Sequence, residues 1–399
     1  MNKLFIAGLS MEIGGAERAL LGLLHHLDAA EFDVDLFLNR HEGEFMPRIP
    51  GWINLLPQER HYASLAVPAA AVLRSGSLAV LAGRAYAKLK AKQYKASHPS
   101  EKPGAVELEY SHKYTVPFMP LMSDKEYDLA ISFCAPHYFV ARKVRAKKKI
   151  AWIHTDYSKI NIDVASEMMM WDQYDHIVSI SDAVTRSFLC VFPGLASKII
   201  KIENMLVPSM IQEDAHAFDV SGEMPEDSSV RILSIGRYCT AKNFDNVPDI
   251  CSRLRKMGLN VKWYLIGFGG DEELIRRKIR EASMEQHVVM LGKKENPYPY
   301  IRACDLYVQP SRYEGKCVTV REAQMLGKPV VITRYATASS QLEEDVDGVI
   351  VPMDNEGCAQ GIAALLRNPE KMAHLSAVCL SREYANRNET QMLVDCLKE

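Results

Sequence analysis

Val230-Arg-Ile-Leu-Ser-Ile235 runs directly into Gly236-Arg237, and with it an alternation of strands and helices begins for the second time in a chain of 399 residues. Downstream, the pattern predicts a helix around Val247 to Met257 and strands at Val261–Ile266, Val288–Leu291, Leu306–Gln309 and Val330–Thr333. Upstream, residues 209–229 are acidic, contain Gly222 and Pro225, lack periodicity and read as a linker. Before them lies the first alternation. Lys3–Leu9 reads as a strand, Gly14-Gly15 as a break, and Ala16 to Leu27 as a helix with apolar residues at helical spacing. Strands follow at Phe32–Leu38, Tyr127–Phe133, Ile150–His154 and Tyr174–Ile180, and Ser181-Asp182 is placed to cap a helix from Ala183. Short apolar strands alternating with helices predict parallel α/β sheets covered on both faces. The expected architecture is therefore α/β with two Rossmann-like domains, at 1–208 and 230–380. The segment 381–399 is expected as a helix returning toward the N-terminal domain. A ligand in such a fold belongs at the strand carboxyl ends, in the cleft where the two parallel sheets face each other.

Composition narrows the function. Charged residues make up 25% and hydrophobic ones 48%, as in ordinary globular proteins. Basic and acidic side chains number 48 and 50, giving a net charge of -2, which excludes a generally basic nucleic-acid binder. Nine cysteines are scattered without a C-x-x-C pair and read as reduced thiols of a cytoplasmic protein. No stretch approaches the ~20 apolar residues that span a bilayer. The run Leu4–Leu9 is too short for a signal peptide. Two basic clusters stand out: Arg84, Lys88, Lys90, Lys92 and Lys95, after the apolar stretch Leu65–Leu81, and Arg142 to Lys149. The first reads either as surface helices with a solvated basic end or as an amphipathic segment on an anionic membrane surface. The location is thus cytoplasmic, or peripheral on the inner face of the cell membrane.

Several segments carry the chemistry. Gly14-Gly15 opens a helix whose amides favour a phosphate, although an ordinary tight turn explains it equally well. A G-x-G-x-x-G fingerprint is absent there, which argues against a nicotinamide enzyme. Arg237 and Lys242 follow a strand and can converge on one anion. Glu314 and Glu322 in Pro310–Ala323 place one carboxylate in a loop and the other on the next helix. The amides of Gly315, Lys316, Cys317, Val318 and Thr319 lie near that helix start. The Asp33/Asp35 and Asp345/Asp347 pairs read as ordinary acids away from this site, and no metal is expected.

This ordered set resembles the retaining nucleotide-sugar glycosyltransferases of family 4, which have the GT-B fold. It comprises Gly14-Gly15-Ala16-Glu17-Arg18, Trp152-Ile-His154, Gly236-Arg237 with Lys242, Gly267-Phe268-Gly269, and Glu314 with Glu322 in Glu-Gly-(x6)-Glu-Ala. The resemblance runs to about Pro352 and is strongest to bacterial enzymes of capsular, exopolysaccharide and lipid-linked glycan synthesis. Lys316-Cys317 stands where many members have Phe-Gly. The resemblance implies that Arg237 and Lys242 stabilise the departing diphosphate, helped by the amides at Gly15 and Thr319. It implies that Glu314 holds the sugar, Glu322 the ribose, and His154 the sugar near the reaction centre; Asp156, two residues on, reads either as an orienting partner of His154 or as a group approaching the acceptor. Gly267 and Gly269 would let the backbone approach base or phosphates, and Lys293 would line the base. Catalytic roles accordingly fall to His154, Arg237, Lys242 and Glu314. No cofactor is implied, since the nucleotide-sugar is itself a substrate. The partners are a UDP- or GDP-sugar donor and a glycan or lipid-linked acceptor. A nucleotide-sugar 2-epimerase and a non-catalytic sugar-nucleotide-binding protein share the same sequence features.

Overall fold

The computed structural model describes residues 1–63, 78–100, 102, 104–386 and 389–398. The chain forms two compact units, Met1–Leu206 with Arg387–Glu399, and Val207–Asn386. The apolar stretch singled out at Leu65–Leu81 lies mostly outside the described residues.

The first unit holds a parallel seven-stranded sheet in the order β3-β2-β1-β4-β5-β6-β7. Its strands are β1 (Asn2–Gly8), β2 (Phe32–Leu38), β3 (Asn54–Leu55), β4 (Glu126–Ser132), β5 (Arg145–Ile153), β6 (His176–Ser179) and β7 (Ile199–Lys201). The second unit holds a parallel six-stranded sheet, β10-β9-β8-β11-β12-β13. These are β8 (Val230–Ile235), β9 (Val261–Ile266), β10 (Val288–Gly292), β11 (Leu306–Gln309), β12 (Val330–Thr333) and β13 (Val349–Val351). The central strands are apolar because both faces are covered: Ile232, Leu233, Trp263, Leu265, Val308 and Val331 are all fully buried. In each sheet the chain winds outward one way, then returns to the centre and winds the other way. The reversals fall between β1 and β4 and between β8 and β11, which directs ligands to the loops after those strands.

Two expectations need correction. Residues 209–229 are not a linker. Pro208–Ala215 is a helix of the second unit, with Gln212 Nε2 donating to Met325 O at 3.0 Å. Two of its acids are paired: Lys294 with Glu223 at 2.6 Å and Lys262 with Asp227 at 2.5 Å. The second unit also continues to Asn386 rather than 380, so only the helix Thr390–Lys398 lies with the first unit. The basic cluster 142–149 falls largely on strand β5, where Arg145 and Lys147 stay exposed, as does Arg142 before it. Lys147 pairs with Asp128 at 2.7 Å, and Lys149 donates to Ala141 O at 2.6 Å.

Candidate functional site

The loops after β8 and β11 flank the reversal in the second sheet and are fastened to each other. Arg312 makes a bidentate pair with Asp245 at 2.9 and 2.8 Å, and its amide donates to Ala241 O at 2.8 Å. Asn243, in the left-handed region at φ 61°, donates to Pro310 O at 2.9 Å. Asparagine tolerates that backbone conformation better than most residues.

This fastening brings Lys242 and Glu314 together. Lys242 Nζ donates to Glu314 Oε1 at 2.5 Å, and both side chains are largely covered, at 18% and 11% exposure. The stem of Lys242 lies over Gly236, where a Cβ would come within 3.0–3.2 Å of its methylenes. Burial opposes the Lys242 charge, but Cys317 and Glu314 beside it more than offset this and raise its pKa. Since burial also raises the Cys317 thiol and keeps its proton on, the carboxylate supplies the attraction.

A buried polar chain holds Glu314 from the other side. The Tyr307 hydroxyl lies 2.7 Å from Thr319 Oγ1 and 2.8 Å from Gln309 Oε1. Gln309 Nε2 donates to Ser311 Oγ at 2.9 Å, and Ser311 Oγ donates to Glu314 Oε1 at 2.6 Å. Gln309, Ser311 and Tyr307 are all fully buried. Both donors converge on Oε1, so Oε2 has no protein partner among the described residues and can accept from a hydroxyl.

The remaining second-unit candidates are placed less uniformly. Arg237 is exposed and makes no ion pair among the described residues. Glu322, on the helix Val318–Met325, is fully buried and accepts from Tyr298 OH at 2.8 Å, so it presents no open carboxylate to a ribose. Gly315, Lys316 and Thr319 are partly exposed beside Glu314, while Val318 is buried. The Cys317 amide is occupied by Gln341 Oε1 at 2.6 Å. Gly267 and Gly269, at φ 153° and 154°, are required by the protein itself. A Cβ on either would overlap the carbonyl of Gly236 or Tyr238. They let the β8 and β9 loops pack backbone against backbone. Lys293 is exposed, with its ammonium 5.5 Å from the centroid of the Phe268 ring, which is itself 44% exposed.

Three candidates lie in the first unit. Gly14 caps the helix Gly15–His26, but Glu17 folds its carboxylate back over the cap, where a Cβ on Gly14 would overlap it. A negative charge thus already occupies the helix start expected to hold phosphate. His154 Nε2 donates to Phe133 O at 2.9 Å, which fixes the tautomer and leaves Nδ1 as the acceptor. The ring is half-buried, and desolvation lowers its pKa to about 4, so it is neutral near pH 7. Asp156 caps the following turn through Ser158 N at 2.9 Å and Ser158 Oγ at 2.6 Å, rather than orienting His154.

The sequence reading assigns no role to Ser311, Gln309, Gln341 or Phe268. Ser311 adjoined the quoted Pro310, and Phe268 sat between two singled-out glycines. Nothing in the sequence marked Gln341.

Residues 222–378 match the family described as glycosyl transferases group 1. The amylovoran biosynthesis glycosyltransferase AmsK of Erwinia amylovora is 30% identical over 145 residues, 34% of this chain and 35% of that protein. A Campylobacter jejuni N-acetylgalactosaminyltransferase, named for a diphospho-undecaprenol acceptor, is 27% identical over 162 residues, 40% of this chain and 41% of that protein. The chain thus spans about two fifths of these curated relatives. HepE of Anabaena, solved with UDP and glucose, superposes with a TM-score of 0.69 at 17% identity over all of both chains. TarM of S. aureus, solved with fondaparinux, alpha-GlcNAc-glycerol and UDP, gives 0.70 at 12% identity, again over all of both chains. The fold shared with these structures is GT-B.

Proposed function

We propose that this chain, a glycosyl transferase of group 1 over residues 222–378, is a retaining hexosyltransferase of bacterial surface polysaccharide synthesis. It moves a sugar from a UDP- or GDP-sugar to a glycan or lipid-linked acceptor. The observation that carries this reading is the Lys242–Glu314 pair at the reversal of the second sheet. In the reaction the bond from the anomeric carbon to the diphosphate oxygen breaks, and one to the acceptor oxygen forms on the same face. The acceptor proton passes to the departing phosphate oxygen, so no protein nucleophile is needed. Charge develops on the leaving group, and the Lys242 ammonium, with exposed Arg237, stabilises it. Glu314 Oε2 accepts from a sugar hydroxyl. The ammonium supplies the countercharge that a divalent cation would otherwise bring, so EDTA leaves turnover unchanged. HepE with bound UDP and glucose supports a uridine nucleotide, and the Campylobacter relative's name supports a polyprenyl diphosphate acceptor.

A lipid-linked acceptor requires access to a bilayer, and the helix Leu78–Ser97 offers a surface for it. Leu78, Tyr86 and Leu89 are 65%, 47% and 53% exposed along one side, with exposed Lys88 and Lys92 beside them. Lys95 pairs with Glu107 at 2.8 Å. Apolar side chains flanked by lysines match the boundary between acyl chains and anionic headgroups.

The deciding experiment is hydrolysis of a panel of UDP- and GDP-sugars without acceptor, followed by acceptor screening with the donor that is used. Slow release of free sugar, accelerated by an acceptor, is expected. Conversion of the donor to its 2-epimer would establish the isomerase instead, and tight binding without turnover a non-catalytic role.

A further inference from the structure

Two residues after β12 close on the loop that carries Glu314. Thr337 Oγ1 donates to Glu314 O at 2.9 Å. Four residues on, Gln341 bridges both polar groups of Cys317. Its Oε1 accepts from the Cys317 amide at 2.6 Å and its Nε2 donates to the Cys317 carbonyl at 3.2 Å. Gln341 is 1% exposed, so its amide is held there without competition from water. Cys317 caps the helix Val318–Met325 and has no side-chain cap of its own. Its thiol lies 3.9 Å from Lys242 Nζ. The bracket therefore fixes both ends of the segment 314–317, which lies against the buried ammonium.

We propose that Gln341 is a positioning residue for the donor's diphosphate. It holds the Cys317 peptide in one orientation, which sets Glu314 and the first turn of the Val318–Met325 helix against Lys242. A primary amide suits this task because it accepts from one backbone group and donates to the other at once; a carboxylate can only accept. The inference rests on the donor-binding reading of the same site.

The test is titration calorimetry of the full-length protein with UDP and GDP, and with uridine and guanosine as phosphate-free controls. Wild type is compared with Gln341→Ala and Gln341→Glu. Loss of alignment to a charged group predicts about tenfold weaker binding of the diphosphate by Gln341→Ala, with the nucleoside changed by less than about twofold. Gln341→Glu supplies a readout that a purely structural role would not move. Ionised, it sets a carboxylate against the Cys317 carbonyl; protonated, it donates to that carbonyl as the amide does. Its diphosphate affinity relative to wild type should therefore recover between pH 8 and about pH 5.5. Lys242, Cys239, Tyr307, Glu314, Lys316, Cys317, Arg321 and Tyr335 are the titratable and charged groups around this segment. They are shared by all three proteins, so comparison at each pH removes their contribution. Should Gln341→Ala not fold, the pH response of Gln341→Glu decides alone. Unchanged diphosphate binding by Gln341→Ala, equal loss of nucleoside and diphosphate, or no recovery in Gln341→Glu would overturn the proposal. Absence of any nucleotide binding by wild type would instead overturn the donor reading beneath it.

Discussion

Lys242 carries its charge into a region where burial disfavours an ammonium, and its partner there is Glu314. Removing one member of such a pair strands the other, so stability and turnover must be separated. Lys242→Ala should lower turnover at saturating donor by roughly 30- to 1,000-fold, or ~2–4 kcal/mol of leaving-group stabilisation. It should also lower the melting temperature, because Glu314 keeps only Ser311 as a donor. Adding Glu314→Gln to Lys242→Ala should restore the melting temperature and leave turnover low. Recovery of both would make the pair structural, as measured by calorimetry and steady-state kinetics on the same samples. Gly236→Ala tests the same point from behind. The new Cβ presses on the lysine methylenes without touching the ion pair, so a partial loss of turnover with donor affinity nearly kept is expected. The sequence placed Arg237, Lys242 and Glu314 in loops after strands, because a glycine after an apolar run is visible in one dimension. It did not show that Lys242 and Glu314 meet, since 72 residues separate them and the fastening by Arg312 and Asp245 has no local signature.

At the scale of elements, the helices Val106–Thr115 and Val164–Trp171 of the first unit bury two carboxylates. Glu109 is 3% and Glu167 5% exposed, and Trp171 Nε1 donates to Glu167 Oε2 at 3.2 Å. Burial, and then the nearby Glu109, push the Glu167 carboxyl up from its ordinary 4.5 to about 8. Between those two values the folded chain keeps a proton that the unfolded chain gives up, so stability falls as pH rises through that window. Glutamine mimics the protonated acid and still accepts from Trp171. Glu167→Gln should therefore melt above wild type, by a margin that widens from pH 5 to pH 8. A margin independent of pH, measured by thermal unfolding at both values, would show that the carboxyl is not protonated in the fold. None of this was legible in sequence, where no local pattern marks either acid as buried. The strands were legible: Phe32–Leu38, Val230–Ile235, Val261–Ile266, Leu306–Gln309 and Val330–Thr333 fall where the apolar runs end. Burial on both faces leaves a continuous apolar run with abrupt limits.

For the whole molecule, the question that reaches beyond the second unit is whether the basic helix meets a membrane. Binding to vesicles containing anionic lipid should weaken as salt rises from about 0.1 M to 1 M and the Debye length shortens from ~10 Å to ~3 Å. Changing Lys88, Lys90 and Lys92 to Gln should abolish the preference for anionic over neutral vesicles. Changing Tyr86 and Leu89 to Ser should lower binding to both. Pelleting that neither set of changes reduces would remove this helix as the attachment surface and favour a soluble acceptor. The sequence by itself determined the two parallel α/β units and the loops that carry the candidate residues, because strand burial and glycine breaks are properties of neighbouring residues. Tertiary structure alone decided which of those residues meet. It gave Lys242 to Glu314, covered Glu322 with Tyr298, laid Glu17 over Gly14, and drew residues 209–229 into the second unit. Each of these turns on a partner distant in sequence or on how a side chain folds back, and neither is written in local pattern. The closing bracket of Thr337 and Gln341 belongs with them: its hydrogen bonds span 23 and 24 residues, and only the packing of β12 beside β11 brings their ends together.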